Sequence, residues 1–193
     1  MISQTEELWQ ALHAHYPLDA ALKRQLQRIF TQKHYARNHF LAKPGSTARH
    51  AWFVRKGAVR AYQLDKTRGT EVVSWLWLDG DLVWAADSFC RRLPTRLFIQ
   101  LLEDSVLQVV SRQDLDHTLE HFPQYRHLER AVAESFHHRL HQHYHRRVSL
   151  PATARYQHLL QTRPQLFLRV PVKDIASFLG MFPDTLSRLR GKR

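Results

Sequence analysis

The stretch Pro171 to Arg190, PVKDIASFLGMFPDTLSRLR, carries the residue types that bind phosphate and base edges, at regular spacing. Lysine and arginine neutralise phosphate, and arginine can also donate two parallel bonds to a guanine edge. Ile175, Ala176, Leu179, Met181, Leu186 and Leu189 are spaced as the apolar seam between two short helices. Ala176 is small enough for a close crossing, and Gly180 can take the positive φ that ends the first helix. This is the spacing of a helix-turn-helix. It directs Thr185, Ser187 and Arg188 outward, where a DNA major groove would lie. Lys173, Arg190, Lys192 and Arg193 are placed to neutralise phosphate. Asp184, in the first turn of the second helix, can accept from a cytosine amino group.

Other groups with chemical potential are less organised. His137, His138, His141, His143 and His145 crowd one segment, and His137, His141 and His145 step by the i,i+4 spacing that can chelate a transition metal. A metal site needs a further ligand and groups that orient the ligands. The sequence offers neither, so no metal and no cofactor is expected. Asp79, Asp81 and Asp87 cluster at a turn without a matched base or nucleophile and read as turn and surface residues. Cys90 precedes Arg91–Arg92 and reads as an inert thiol. No combination forms a catalytic set, so the chain is not expected to be an enzyme.

These residues need elements to hold them, and the chain of 193 residues is long enough to bury a substantial core. Its formal net charge is +12. Residues 121–193 hold 13 Lys/Arg against 4 Asp/Glu, whereas residues 1–120 hold 16 against 13. The basic excess thus belongs to the segment with the helix-turn-helix, and it attracts a polyanion. No apolar run approaches the roughly 20 residues that cross a bilayer, and the N-terminus lacks the pattern of a secretory signal. With a single cysteine and no internal disulfide, these features fit a cytoplasmic protein without a membrane partner.

In order along the chain, two helices broken at Pro17 occupy 5–30. Short strands with turns between them run from about 38 to 111. Alternation sets Val59, Ala61 and Gln63 against Arg60, Tyr62 and Leu64. Ser111 then caps a helix, with Asp114 at the capping-box position. Pro123 opens a long helix reaching about Arg147. Its apolar residues Leu128, Val132, Phe136, Leu140 and Tyr144 step by four, which overshoots a turn by roughly 40°. The stripe therefore winds, and its ends face different surfaces: the strands first, then a partner subunit. A further helix spans Ala152 to about Thr162, and Leu166 to Val170 reads as an extended link.

This order is similar to that of the Crp/Fnr family of bacterial transcription regulators, in a short form that lacks a full β wing. The residues carrying the resemblance are Phe53 to Arg60 (FVRKGAVR), Gly80 to Leu82, Leu102 to Ser105, Ala154 to Leu160, and the Val170 to Gly180 block with Leu186 to Arg188. The resemblance implies a cyclic-nucleotide-binding-like sensor and a degenerate effector pocket at Gly80, Asp81, Trp84, Ala85, Ser88 and Arg96. Trp84 and Ala85 stand where cyclic-nucleotide binders of the family have a Gly-Glu pair that holds the ribose. Arg96 lies near the position of the phosphate-binding arginine. A buried phosphate without its partners is costly, so cyclic AMP is not the expected effector. A second departure is Phe182 before Pro183, where the family has a Ser/Thr cap. A third is the lack of clustered cysteines, which excludes an iron–sulfur sensor.

The expected fold is α+β: an N-terminal double-stranded β-helix or jelly roll over 1–120, a long dimerisation helix over 121–148, and a helix-turn-helix unit over 149–193. The expected function is sequence-specific DNA binding by a homodimer, with double-stranded DNA and RNA polymerase as partners. The alternative is a ligand or metal sensor acting through protein contacts, with a weak or vestigial DNA-binding unit.

Overall fold

The computed structural model of the chain describes residues 6–191. The expected pair of N-terminal helices is present as α1 (Glu6–His13) and α2 (Ala20–Ile29), the second capped by Asp19, which accepts from the Leu22 N–H. Eight strands follow: β1 (Thr31–Tyr35), β2 (Phe40–Ala42), β3 (His50–Lys56), β4 (Val59–Asp65), β5 (Thr70–Trp77), β6 (Leu82–Val83), β7 (Phe98–Leu101) and β8 (Ser105–Ser111). They form two antiparallel four-stranded sheets, ordered β1-β8-β3-β6 and β2-β7-β4-β5. This is the expected jelly-roll architecture, and with the helices around it the fold class is α+β.

The strands form because β-branched and aromatic residues fill both layers, but the burial is not simple alternation. Trp52, Phe53 and Val54 are buried in succession because β3 has the roll on one side and α1 against it on the other. On β4, Val59 and Ala61 are buried, as alternation predicts, yet Arg60 and Tyr62 are buried as well. The second face of β4 is covered by a helix from far along the chain.

Two elements escape the sequence pattern. β1, TQKHY, is almost wholly exposed and lacks an apolar row; it is an edge strand held by pairing with β8. α3 (Ala86–Arg91) is a short helix after β6 with no side-chain cap. Ser111 caps α4 (Arg112–His121) as expected, accepting from the Asp114 N–H at 3.0 Å.

The long helix is α5 (Tyr125–Ser149), followed by α6 (Ala152–Thr162). Residues 166–169 correct the expectation of an extended link. They form one turn, α7 (Leu166–Arg169), closed by the Phe167 N–H donating to the Pro164 carbonyl, with Leu166 fully buried. The helix-turn-helix is α8 (Val172–Leu179) and α9 (Pro183–Gly191). Gly180 takes φ 66°, and the Met181 N–H reaches back to the Ala176 carbonyl at 3.0 Å. That is a Schellman-type helix end, which a residue with a Cβ would strain. Ile175, Ala176, Leu179 and Leu186 are buried, and Met181 and Leu189 are half-buried, so the seam is the expected one.

Candidate nucleic-acid interface

Leu186 pins α9 against α6 and α8. Asp184, Ser187, Arg188 and Arg190 are all exposed on it, and Thr185 is half-buried. The Arg188 Nε lies 3.4 Å from the Asp184 carbonyl, and no carboxylate among the described residues pairs with Arg188 or Arg190. These guanidiniums are free to meet a polyanion. Phe182, directly before α9, is 81% exposed and supplies no cap. Lys192 and Arg193 lie outside the described residues. Lys173 is placed differently from the others: its Nζ is 3.6 Å from Glu71 on β5 and sits at a seam between the roll and the C-terminal helices.

That seam is the principal feature the sequence did not disclose. Arg60 on β4 donates to Asp174 on α8 at 2.8 Å, to Glu71 at 2.7 and 3.2 Å, and to Gln100 on β7 at 2.8 and 3.2 Å. Asp174 is 2% exposed, and its Oδ2 has no hydrogen-bond partner. Burial raises the Asp174 carboxyl above the usual carboxylate range despite the opposing pull of Arg60. Burial works against the Arg60 charge, but Glu71 and Asp174 more than offset it and hold the guanidinium charged. Beside them the Ser177 hydroxyl accepts from the Val73 N–H at 2.9 Å and donates to the Glu71 carbonyl at 3.2 Å. α8 thus covers β5, the open edge of its sheet.

Two more ion-pair knots tie the helices to the roll. Arg163 donates to Asp81 at 2.6 Å and to the Leu76 carbonyl at 2.9 Å, with Arg139 of α5 3.5 Å from the same carboxylate. Arg169 of α7 meets Asp79 at 2.8 and 3.0 Å and also bonds Glu103. Asp79 and Asp81, read as turn residues, therefore anchor the C-terminal helices, whereas Asp87 is exposed on α3. The partners of Asp79 and Asp81 lie 58 to 90 positions away, so no local pattern reveals them.

An aromatic junction completes the seam. Trp75 of β5 meets Phe136 and His143 of α5 and Phe178 of α8 edge-on, at ring-centroid distances of 5.4, 5.7 and 5.9 Å. His143 stacks on Phe178 at 3.9 Å and is 7% exposed. Burial, with Arg147 and Arg146 adding to it, lowers His143 from 6.5 to about 4. The neutral ring therefore stabilises the fold fully above its unfolded pKa, and that stability is lost as pH falls through 6.5 towards about 4. Tryptophan-monitored denaturation should show a loss of about 2 kcal/mol between roughly pH 7 and pH 5 that His143→Phe does not show. Equal losses in both proteins would contradict this role.

The other predicted site residues are dispersed. Trp84 is buried against Phe136, with centroids 5.2 Å apart. Ala85 precedes α3, Gly80 sits in a turn with φ 86°, and the Ser88 hydroxyl accepts from the Ala48 N–H at 2.7 Å. Arg96 is exposed, and Asp81 faces Arg163 rather than this group. His137, His141 and His145 are exposed along α5 and share no ligand cluster. Among the described residues the three-ligand group is instead His117, Glu120 and His121, exposed on α4. Its i,i+3 and i,i+4 spacing is visible in the sequence but was eclipsed by the longer histidine run.

The architecture, an antiparallel roll leading through a long helix to a helix-turn-helix, is that of the Crp/Fnr regulators. No family model and no curated protein matches the chain. Among solved structures, FixK2 from Bradyrhizobium japonicum matches at TM-score 0.70 and 23% identity, over 85% of this chain and 84% of that one. The c-di-GMP-responsive global regulator CLP from Xanthomonas campestris matches at 0.68 and 19%, over 90% and 91%. A protein from Eubacterium rectale assigned to the Crp/Fnr family matches at 0.66 and 16%, over 91% and 85%. At such identities the shared property is the fold. No helix among the described residues is long and apolar enough to cross a membrane.

Proposed function

We propose that the chain is a non-enzymatic, sequence-specific DNA-binding transcription regulator that acts as a dimer in the cytoplasm. One observation carries the reading: α9 is pinned by Leu186 on its inner side and presents Arg188 on the opposite one, with Ser187 and Arg190 exposed beside it. A short helix with a buried aliphatic anchor and an unpaired guanidinium on its free face is what a major groove accepts. The roll over 1–120 is its sensor, the helix over 121–148 its dimer element, and 149–193 its DNA-binding unit.

The dimer proposal has support in α5. Leu128 and Phe136 are buried towards the roll, whereas Tyr144 and Val148 are 51% and 87% exposed. His137, His141, Tyr144 and Val148 step by four, three and four, all exposed, which is the seam of a two-stranded coil. Cyclic AMP does not fit as the effector, since Trp84 fills space against Phe136 and Ala85 offers no acceptor for a ribose. Contact with RNA polymerase follows from the regulator reading alone.

Arg188→Ala should reduce discrimination between a selected operator and random DNA by about 1–3 kcal/mol, the worth of a bidentate base contact. Arg190→Ala should weaken both alike and flatten the salt dependence. Gel-shift titrations on the two DNAs measure this, and identical behaviour of the two variants would refute the assignment. A second reading, docking of a protein at the helix-turn-helix, is favoured only by the exposed Phe182 ring. It predicts that Phe182→Ser leaves DNA affinity unchanged.

A further inference from the structure

We propose that the cleft between α5, α6 and α8 is a binding site for a phosphate-bearing small molecule. The cleft has a volume of about 350 Å³ and is walled by Arg139, Arg146 and Arg147 of α5, Arg155 of α6, and Arg163 just beyond it. Asp81 is its one carboxylate. Five guanidiniums around one acid leave a concentrated positive field in a partly closed space, the condition under which an anion binds most favourably.

Some of that charge has structural work. Arg163 is held by Asp81 and the Leu76 carbonyl, and Arg155 donates to the Arg147 carbonyl at 2.6 Å and to the Gly180 carbonyl at 3.3 Å. Arg146 and Arg147 have no ion-pair partner among the described residues, and both are half-buried. Arg147 lies over Gly180, where a Cβ would stand 2.8 Å from its Nε. Three residues lining the cleft each hold a buried nitrogen without a hydrogen-bond partner: Arg139 Nε, Arg155 Nε and His143 Nε2. Buried donors are ordinarily satisfied. The unpaired Arg146 and Arg147 line this cleft, where a phosphate with its several acceptor oxygens would meet both together.

The shape favours a small molecule over a DNA backbone, because the cleft lies between packed elements rather than on an open face. It also stays accessible in the proposed dimer. Arg139, His143 and Arg146 lie on the side of α5 away from His137, His141, Tyr144 and Val148, and Arg147 lies on its flank, as 3.6 residues per turn requires. A ligand seated there touches α5, α6 and the end of α8 at once, and α9 packs against α6 and α8. Its occupancy would therefore be read directly by the DNA-binding unit.

The test is calorimetric titration of the full chain with pyrophosphate, without DNA and at constant ionic strength, with chloride as the balancing anion. The expected result is one saturable site per protomer, and a rise in Tm with pyrophosphate that chloride does not give. The double change Arg146→Gln, Arg147→Gln should weaken pyrophosphate about tenfold or more. Arg188→Gln with Arg190→Gln, on the recognition helix, should leave its affinity unchanged. As Arg146 and Arg147 pair with no carboxylate, their removal should not lower the Tm. Absence of saturable binding, or loss of it only in the Arg188/Arg190 variant, would overturn the proposal. None of these outcomes depends on whether the protein recognises an operator.

Discussion

Arg60→Ala is expected to destabilise the docking of the C-terminal helices by about 3–5 kcal/mol, because it strands a buried carboxylate. Asp174 is 2% exposed and has Arg60 as its ion-pair partner, with its second oxygen already unpaired. Without the guanidinium, the aspartate must stay charged in an apolar setting, take up a proton, or leave. Its carboxyl is already raised in the intact protein, chiefly by burial. An acid raised in the folded state favours folding only below its unfolded pKa and loses that contribution as pH rises through the folded one. The deficit of Arg60→Ala should therefore be greatest near neutrality and shrink as pH falls towards the carboxylate range. Replacing both partners by apolar residues, Arg60→Met with Asp174→Leu, should recover most of the loss, since a buried pair contributes little net stability over packed hydrocarbon. Denaturation at several pH values checks all three. An Arg60→Ala deficit within about 0.5 kcal/mol of zero, as for an ordinary surface change, would show that the seam does not hold the helices.

Leu186→Ala should have the second large effect, about 2–5 kcal/mol, from the cavity left in the small core of α6, α8 and α9. Leu186 is fully buried, and α9 has only nine residues. A helix that short has no independent stability in water, so α9 depends on its anchor. The variant should lose binding to every DNA sequence while the roll keeps its fold. Arg188→Ala, an exposed change, should instead alter stability by no more than about 0.5 kcal/mol. Circular dichroism and gel shift on the two variants separate anchoring from recognition. A Leu186→Ala protein that still binds its operator would contradict the role given to this residue.

The local parts of the account were legible in the sequence. The seam of α8 and α9, the Gly180 turn, the Ser111 cap and the breaks at Pro17 and Pro151 all follow from contacts within a few residues, where spacing reports geometry. The exposed strand β1 and the turn α7 were missed for a related reason: their stability comes from partners elsewhere, and neither bears a periodic apolar face. Arg60 illustrates the larger limit. In sequence it is the polar half of an alternating strand, and only the covering helix, 114 residues on, turns it into a buried anchor. The same holds for Asp79, Asp81 and His143, whose surroundings are assembled from the roll and the C-terminal helices together. The exposed residues of α9 proposed to face DNA stand out in the sequence because they share one helix; the seam that positions that helix does not.

The measurement that bears most directly on the central claim is selection of bound fragments from pooled genomic DNA, followed by gel-shift titration at low and high salt. The account predicts a limited set of fragments bearing paired half-sites about 34 Å apart, the separation of successive major grooves. Their preference over random DNA should persist as salt rises. Uniform binding of all fragments that vanishes with salt, or no binding at all, would contradict the assignment of α9 as a recognition helix.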